Sequence, residues 1–144
     1  MAPKRKEILT LSASPIPPAV AINETVIVEI LVSSDTDVVD APFHLVFDPS
    51  VLGFVSATQG EFLGRDGTGV VFIANGQSHP GDVAVGIGRT RRDLGISGAG
   101  VIARVQLKAI ARGEAVLRLD RAMAWDSSGE TVPVSTAGTA VVVR

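Results

Sequence analysis

Apolar residues recur at every second position in many short stretches of the chain. Val26, Val28, Ile30 and Val32 share one parity, and Phe43, Leu45 and Phe47 share another. Alternate residues line one face of a strand, so each stretch predicts a strand with one buried side. Further apolar runs cover residues 51–57, 70–74, 83–87, 116–119, 132–134 and 139–143. Turn formers stand between them: Ser33-Ser34-Asp35, Asp48-Pro49, Gly67 and Gly69, Pro80-Gly81-Asp82, the glycines of 95–100, Gly113 and Ser127-Ser128-Gly129. Glycine supplies positive φ in such turns and proline presets φ at their first corner. Many short strands with frequent turns predict an all-β sandwich or barrel.

Two segments need separate treatment. Residues 101–112, VIARVQLKAIAR, contain good helix formers. Yet Val101, Ala103, Val105, Leu107 and Ala109 alternate with Arg104, Gln106 and Lys108, and glycines bracket the run. The spacing predicts a strand. Residues 14–22, SPIPPAVAI, carry three prolines. Proline cannot donate to a ladder, so this segment is expected at an edge or in a connection. The stretch DAPFHLVFDPSVLGFVSATQGEFL, residues 40–63, reads as two strands joined by an Asp48-Pro49 corner, with Phe43, Phe47, Leu52 and Phe54 buried.

Composition narrows the possibilities. A chain of 144 residues buries roughly 70% of its unfolded surface, enough for one domain, placed at residues 8–144 behind a tail at 1–7. There is no cysteine, which removes disulfides, thiolate catalysis and cysteine-bound zinc. The net charge of -2 gives no general attraction to nucleic acid. No stretch approaches the roughly 20 apolar residues of a membrane helix, so no direct membrane insertion is expected. The start, MAPKRKEILTLSASPIPP, is basic but has prolines and serines where a signal peptide has its apolar core. The expectation is a domain of a longer exported protein, extracellular or associated with the periplasm and outer membrane; the alternative is a cytosolic chain.

Candidate chemistry is sparse. GISGAGV, residues 95–101, lacks the strand-loop-helix setting of a phosphate-binding loop and reads as a flexible turn. RTRR, residues 89–92, reads as a solvated loop, or as a charged rim meeting an acidic partner. His44 points away from the core by parity, His79 precedes Pro80, and neither has a paired acid in the sequence; this is a poor pattern for catalysis or zinc. DSSGE, residues 126–130, lacks the ligand spacing of a calcium loop and reads as a hairpin loop. With no tyrosine and one tryptophan, Trp125, a flat aromatic platform for sugars is not expected. No enzyme, no metal site and no cofactor are expected.

Four stretches carry a family resemblance in the same order. NETVIVEILVSS resembles the opening strand of cohesin domains, APFHLVFDPSVLGFVSATQGEFL their Phe-x-Leu-x-Tyr-Asp-Pro-x-x-Leu-x-Phe-Val segment, GDVAVGIGR their middle strand, and GISGAGVIARVQLKAIARGEAVLRL their long strand ending Lys-Ala before glycine. The likeness covers nearly all of residues 9–143. It implies a nine-stranded jelly-roll β-sandwich and a non-catalytic module that tethers a dockerin-like or other helical protein on one sheet face. Carried onto this chain, that face uses strands near 42–47, 70–75, 82–89 and 101–110, with His44, Val46, Asn75, Ala84, Gly86, Gly88, Arg104, Gln106 and Lys108 pointing outward.

One position departs from the family pattern. Cellulosomal cohesins commonly carry a polar or acidic residue before the Phe of the Phe-x-Leu strand; here Pro42 stands there, and the nearest carboxylate is Asp40. In this respect the chain looks more like cohesin-like domains of non-cellulosomal bacteria, including those appended to secretin-like components of type II secretion. A carbohydrate-binding module, with polysaccharide as partner, and a structural spacer are the rival readings.

Overall fold

The computed structural model describes residues 8–144, so the expected tail at 1–7 lies outside the described residues. The described chain contains strands and turns and no helix. In chain order the strands are β1 (Leu9–Ile16), β2 (Ala19–Val20), β3 (Thr25–Val38), β4 (Phe43–Val46), β5 (Leu52–Gln59), β6 (Val70–Asn75), β7 (Asp82–Arg89), β8 (Ile96–Ala109), β9 (Gly113–Asp120), β10 (Val134–Ala137) and β11 (Thr139–Val143). They form a five-stranded sheet ordered β10-β1-β3-β8-β5 and a six-stranded sheet ordered β2-β11-β9-β4-β7-β6.

Two strands pass from one sheet to the other. β1 gives way to β2 across Pro17-Pro18, and β10 to β11 across Gly138. A Cβ at Gly138 would strike the carbonyl of Leu117, so the crossing requires glycine. Counting each broken pair once leaves nine strands, and the architecture is the expected all-β sandwich. Pro15 pairs with Val28 in the part of β1 beyond its register with β10, which spans Leu9 to Ser12; its missing N–H therefore falls on an open side.

The alternating parities become the inner layers. Val26, Val28, Ile30 and Val32 face Phe43, Leu45, Val83, Val85, Leu117 and Leu119 across a continuous buried cluster. Phe43, Phe47 and Leu52 are buried as expected, while Phe54 is half-buried beneath Gly76. The Asp48-Pro49 corner carries the chain from β4 in one sheet to β5 in the other. Asp48 Oδ1 there accepts bonds from the Ser50 amide at 2.9 Å and its hydroxyl at 2.6 Å, the local bonding that makes Asp a turn residue.

Residues 101–109 are indeed strand, but a bulge in the β3–β8 pairing shifts the alternation. Ile102 is the extra residue and is fully buried, while Val101 lies outward opposite Leu31. A bulge sets two residues against one and so reverses the parity beyond it. The expected turns at 33–35 and 95–100 are also absent as turns. β3 and β8 run on through them to pair Ser34 with Gly98 and Val38 with Ile96. Residues 132–134 are not one strand: Val132 is buried, but Pro133 delays β10 to Val134.

Phe47→Ala removes a ring that is 5% exposed and is expected to cost about 3–5 kcal/mol. Chemical denaturation of the two proteins checks this; a loss below about 1 kcal/mol contradicts the burial.

Candidate partner-binding face

The six-stranded sheet turns one face outward, and β4, β7, β6 and β9 fill most of it. β4 presents His44 and Val46; β7 presents Asp82, Ala84, Gly86 and Gly88; β6 presents Val71, Ile73 and Asn75. The register sets Val71 beside Gly88, Ile73 beside Gly86 and Asn75 beside Ala84. Ala84 and Gly86 therefore form a low lane between Asn75 and Ile73 on β6 and His44 and Pro42 on the β4 side. On the far side of β4, β9 adds Glu114, Val116 and Arg118. Large apolar groups are exposed on this face, with Val71 at 54%, Ile73 at 66% and Val116 at 54%.

The nine residues expected to form one face are divided. His44, Val46, Asn75, Ala84, Gly86 and Gly88 lie together on the six-stranded sheet, whereas Arg104, Gln106 and Lys108 lie on β8, in the opposite sheet. Parity tells inside from outside but not which sheet a strand joins. β8 is held between β3 and β5, and β9 rather than β8 completes the face with β4, β7 and β6. Arg104 is bound in its own sheet, with Nε 3.0 Å from Glu29 Oε2 and Nη2 3.0 Å from Glu61 Oε1. Those carboxylates raise its pKa further above its ordinary value, Glu61 more than Glu29. The sequence reasoning missed Val71 and Ile73, which share the parity of Asn75, and it missed the outward residues of β9.

At one end of the lane the surface sinks into a trough of about 350 Å³, lined by Pro42, Val71, Ile73, Gly86, Gly88 and Trp125 with Asp40 and Arg92 at its rim. Trp125, Asp40 and Arg92 also border a neighbouring hollow of about 480 Å³. Trp125 is half-buried, and its backbone pairs with that of Asp40. Asp40 is held by Arg92 through a two-pronged ion pair, with Nη1 2.6 Å from Oδ1 and Nη2 on Oδ2. A Cβ at Gly88 would strike Asp40 Oδ1, so glycine there lets the carboxylate lie across β7. The carboxylate nearest Pro42 is thus at the edge of the face, already paired with a cation.

The RTRR segment is not one solvated loop. Arg89, the last residue of β7, is 1% exposed. Its guanidinium donates to the carbonyls of Leu94 at 2.7 Å and Leu63 at 2.6 Å and to both carboxylate oxygens of Asp66, at 3.0 and 2.9 Å. This anchors the loop between β5 and β6 against the end of the sheet. Arg91 pairs locally with Asp93 in solvent, and Arg92 holds Asp40. Arginine parity at a strand end is the signal that separates Arg89 from its neighbours: it continues Val83, Val85 and Ile87 inward.

His44 does have an acid beside it, contrary to the sequence expectation: its Nδ1 lies 2.7 Å from Asp82 Oδ1. The two stand on adjacent strands of the outer face, both partly exposed. Among the described residues, no three acidic or histidine side chains converge to hold a metal ion. His79 stays in the Pro80-Gly81 turn, where the His79 carbonyl accepts the Asp82 amide at 3.0 Å and Gly81 has φ of 80°. In the 126–130 loop, Asp126 Oδ1 accepts the Ser128 amide, the Ser128 hydroxyl and the Glu130 amide, so the expected hairpin loop is closed by its own acid.

A family profile described as the cohesin domain matches residues 18–142. Among solved structures, a non-cellulosomal cohesin from the hyperthermophilic archaeon Archaeoglobus fulgidus is 19% identical, with TM-score 0.77 over 96% of this chain and 92% of that one. The sixth cohesin of Acetivibrio cellulolyticus scaffoldin B, solved with a Cel5 dockerin mutant, is 18% identical, with TM-score 0.79 over 96% and 100% of the two chains. The OlpC cohesin of Clostridium thermocellum, solved with the dockerin Doc435, is 11% identical, with TM-score 0.80 over 100% and 98%. No curated protein matches the chain.

The Arg89 cluster predicts an acid dependence. Hydrogen bonds from Arg89, then from the Thr68 amide, hold the Asp66 carboxyl well below the usual carboxylate range. A carboxyl depressed on folding contributes stability above its unfolded pKa of about 3.9, and that contribution is lost as pH falls further. Wild type is therefore expected to exceed Asp66→Asn in stability at neutral pH, with the gap narrowing progressively below about pH 4. Thermal melts of both proteins across that range check it; a gap independent of pH contradicts the pairing.

Proposed function

We propose that this chain, which belongs to the cohesin domain family, is a non-catalytic protein-interaction module that docks a dockerin-like or other helical partner on the outer face of β9, β4, β7 and β6. The observation that carries the reading is the low lane of Ala84 and Gly86 between Asn75 and Ile73 on β6 and His44 and Pro42 on the β4 side, with the Asp40 carboxylate lying over Gly88 at its end. A helix approaches closely only where the opposing side chains are small. Val71, Ile73 and Val116 supply exposed apolar area, and aliphatic groups packed at the centre of an interface carry more of its energy than charges at the rim. The His44–Asp82 pair, Arg118 and the Asp40–Arg92 pair border that area and select among partners by charge.

Pro42 directs the specificity. It contributes an apolar wall to the trough where a polar or acidic residue is common in cellulosomal cohesins, and Asp40 is paired with Arg92. The partner is accordingly one that buries an apolar side chain at this end instead of offering a cation. We further propose that the domain is part of a longer exported protein, which sequencing of the flanking gene tests directly. A sugar-binding reading draws on Trp125 in the trough; it has a single aromatic ring to work with, and silence on a glycan array removes it.

Gly86 has open space where a Cβ would stand, so a side chain there fits the fold and obstructs the lane. Gly86→Lys is expected to weaken partner binding by at least about tenfold, or about 1.4 kcal/mol, with melting temperature unchanged or higher. Arg104→Ala, on the opposite sheet, is expected to leave binding unchanged. Calorimetry against dockerins and helical segments encoded by the same organism provides the measurement. Absence of binding to all of them, or sensitivity to Arg104→Ala without sensitivity to Gly86→Lys, overturns the assignment.

A further inference from the structure

The four outer strands of the two sheets do not end alike. β2 is two residues long and follows Pro17-Pro18; β10 is four residues long and follows Pro133; β5 is interrupted by a bulge between Phe54 and Ser56. Shortness, proline and bulges are the usual ways in which a protein blunts an open edge. β6, Val-Val-Phe-Ile-Ala-Asn, has none of them: six residues in unbroken register with β7, without proline or charge. Segments of this length, apolar and uncharged, are the ones that pair with other strands.

The unsatisfied groups of β6 can be assigned. The Ala41 amide donates to the Ile87 carbonyl at 3.1 Å, the Arg89 amide to Val39 at 2.8 Å and the Phe47 amide to Gly81 at 2.9 Å. The odd-numbered residues of β7 and its entry turn therefore bond toward β4. Ala84, Gly86 and Gly88 bond the other way, toward Asn75, Ile73 and Val71. That leaves the amides and carbonyls of Val70, Phe72 and Ala74 directed away from the sheet, where no strand among the described residues pairs with them.

We propose that β6 is the interface of a homodimer, with β6 of a second copy adding antiparallel to this edge about a twofold axis at Phe72. A second copy fits because the segment complements itself. Centred on Phe72, the pairing sets Val70 opposite Ala74 of the second copy and Phe72 opposite its own equivalent, so that all three residues with free backbone groups become hydrogen-bonded pairs. Between them Val71 faces Ile73 of the second copy, and Ile73 faces its Val71. These are non-hydrogen-bonded positions, where side chains approach most closely. The two most exposed aliphatic side chains of the strand, at 54% and 66%, thereby pack against each other across the seam while their outward side stays open to a docked partner. No like charges meet, because the strand has none. The two six-stranded sheets join into one.

Sedimentation velocity over micromolar to millimolar concentrations tests the dimer. The wild-type chain is expected to shift from monomer to dimer mass, and Ile73→Lys to raise the dissociation constant about tenfold or more without altering the melting temperature at concentrations where the wild type is monomeric. The register is tested by cross-linking, on a background with no native cysteine. Facing residues in a non-hydrogen-bonded antiparallel pair have Cα atoms about 4.5 Å apart, within disulfide reach. A mixture of Val71→Cys and Ile73→Cys proteins is expected to form disulfide-linked dimers under mild oxidation, and either protein alone is not. A wild-type chain that stays monomeric at millimolar concentration overturns the proposal, as does a dimer insensitive to Ile73→Lys or a cross-link that forms equally in either single variant.

Discussion

The two-residue period of the strands governs this molecule. Each strand must give alternate residues to the layer between the sheets, and that layer is almost wholly apolar. Burial of this layer supplies the main favourable contribution to folding. It also fixes which residues cannot take part in recognition. What remains is a complementary set of outward residues on each sheet, and the two sets differ in kind. The five-stranded sheet shows Arg104 tied to Glu29 and Glu61, with Gln106 and Lys108 beside them. The six-stranded sheet shows glycine, alanine and exposed aliphatics. Both faces hold charges in pairs, His44 with Asp82 among them, but Val71 and Ile73 leave apolar area uncovered beside the low lane of β7.

One exception to the apolar layer, Arg89, sits next to the proposed docking face and helps to organise it. Arg89 takes an inward position and is accepted there because carbonyls and the Asp66 carboxylate satisfy its guanidinium. The guanidinium is buried and its Asp66 partner lies at the surface, so removing the carboxylate leaves a buried cation short of a partner, which is destabilising. The consequence of the pair is positional: it holds the β5–β6 loop to the end of β7, beside the trough. Three residues further on, Arg92 closes on Asp40 at the trough's rim. One short arginine-rich segment thus anchors the inside of the sheet and shapes its outside.

Much of the architecture was legible from parity and turn chemistry. The strands of the 40–63 segment, the Asp48-Pro49 corner and the strand character of 101–109 all follow from alternation and local bonding. What parity could not reveal was partnership between distant strands. β8 and β9 are both amphipathic and adjacent in sequence, so either could have flanked β4; the choice is made by long-range pairing with β3 and β11. That is why Arg104, Gln106 and Lys108 fall on the far sheet while Glu114, Val116 and Arg118 take their place. The bulge at Ile102 was hidden for a related reason. An extra residue within an apolar run leaves no turn former to mark it, and so Val101 and Ile102 exchange sides unannounced. The acid beside His44 comes from a strand 38 residues away in sequence and left no local trace.

The central claim is that recognition occurs on the outer face of the six-stranded sheet. Hydrogen exchange followed by mass spectrometry, with and without a bound dockerin-like partner, tests it most directly. The account predicts added protection in peptides covering β4, β6, β7 and β9, with β1, β3 and β8 unchanged. Protection concentrated in β3 and β8, around Glu29 and Arg104, would contradict it.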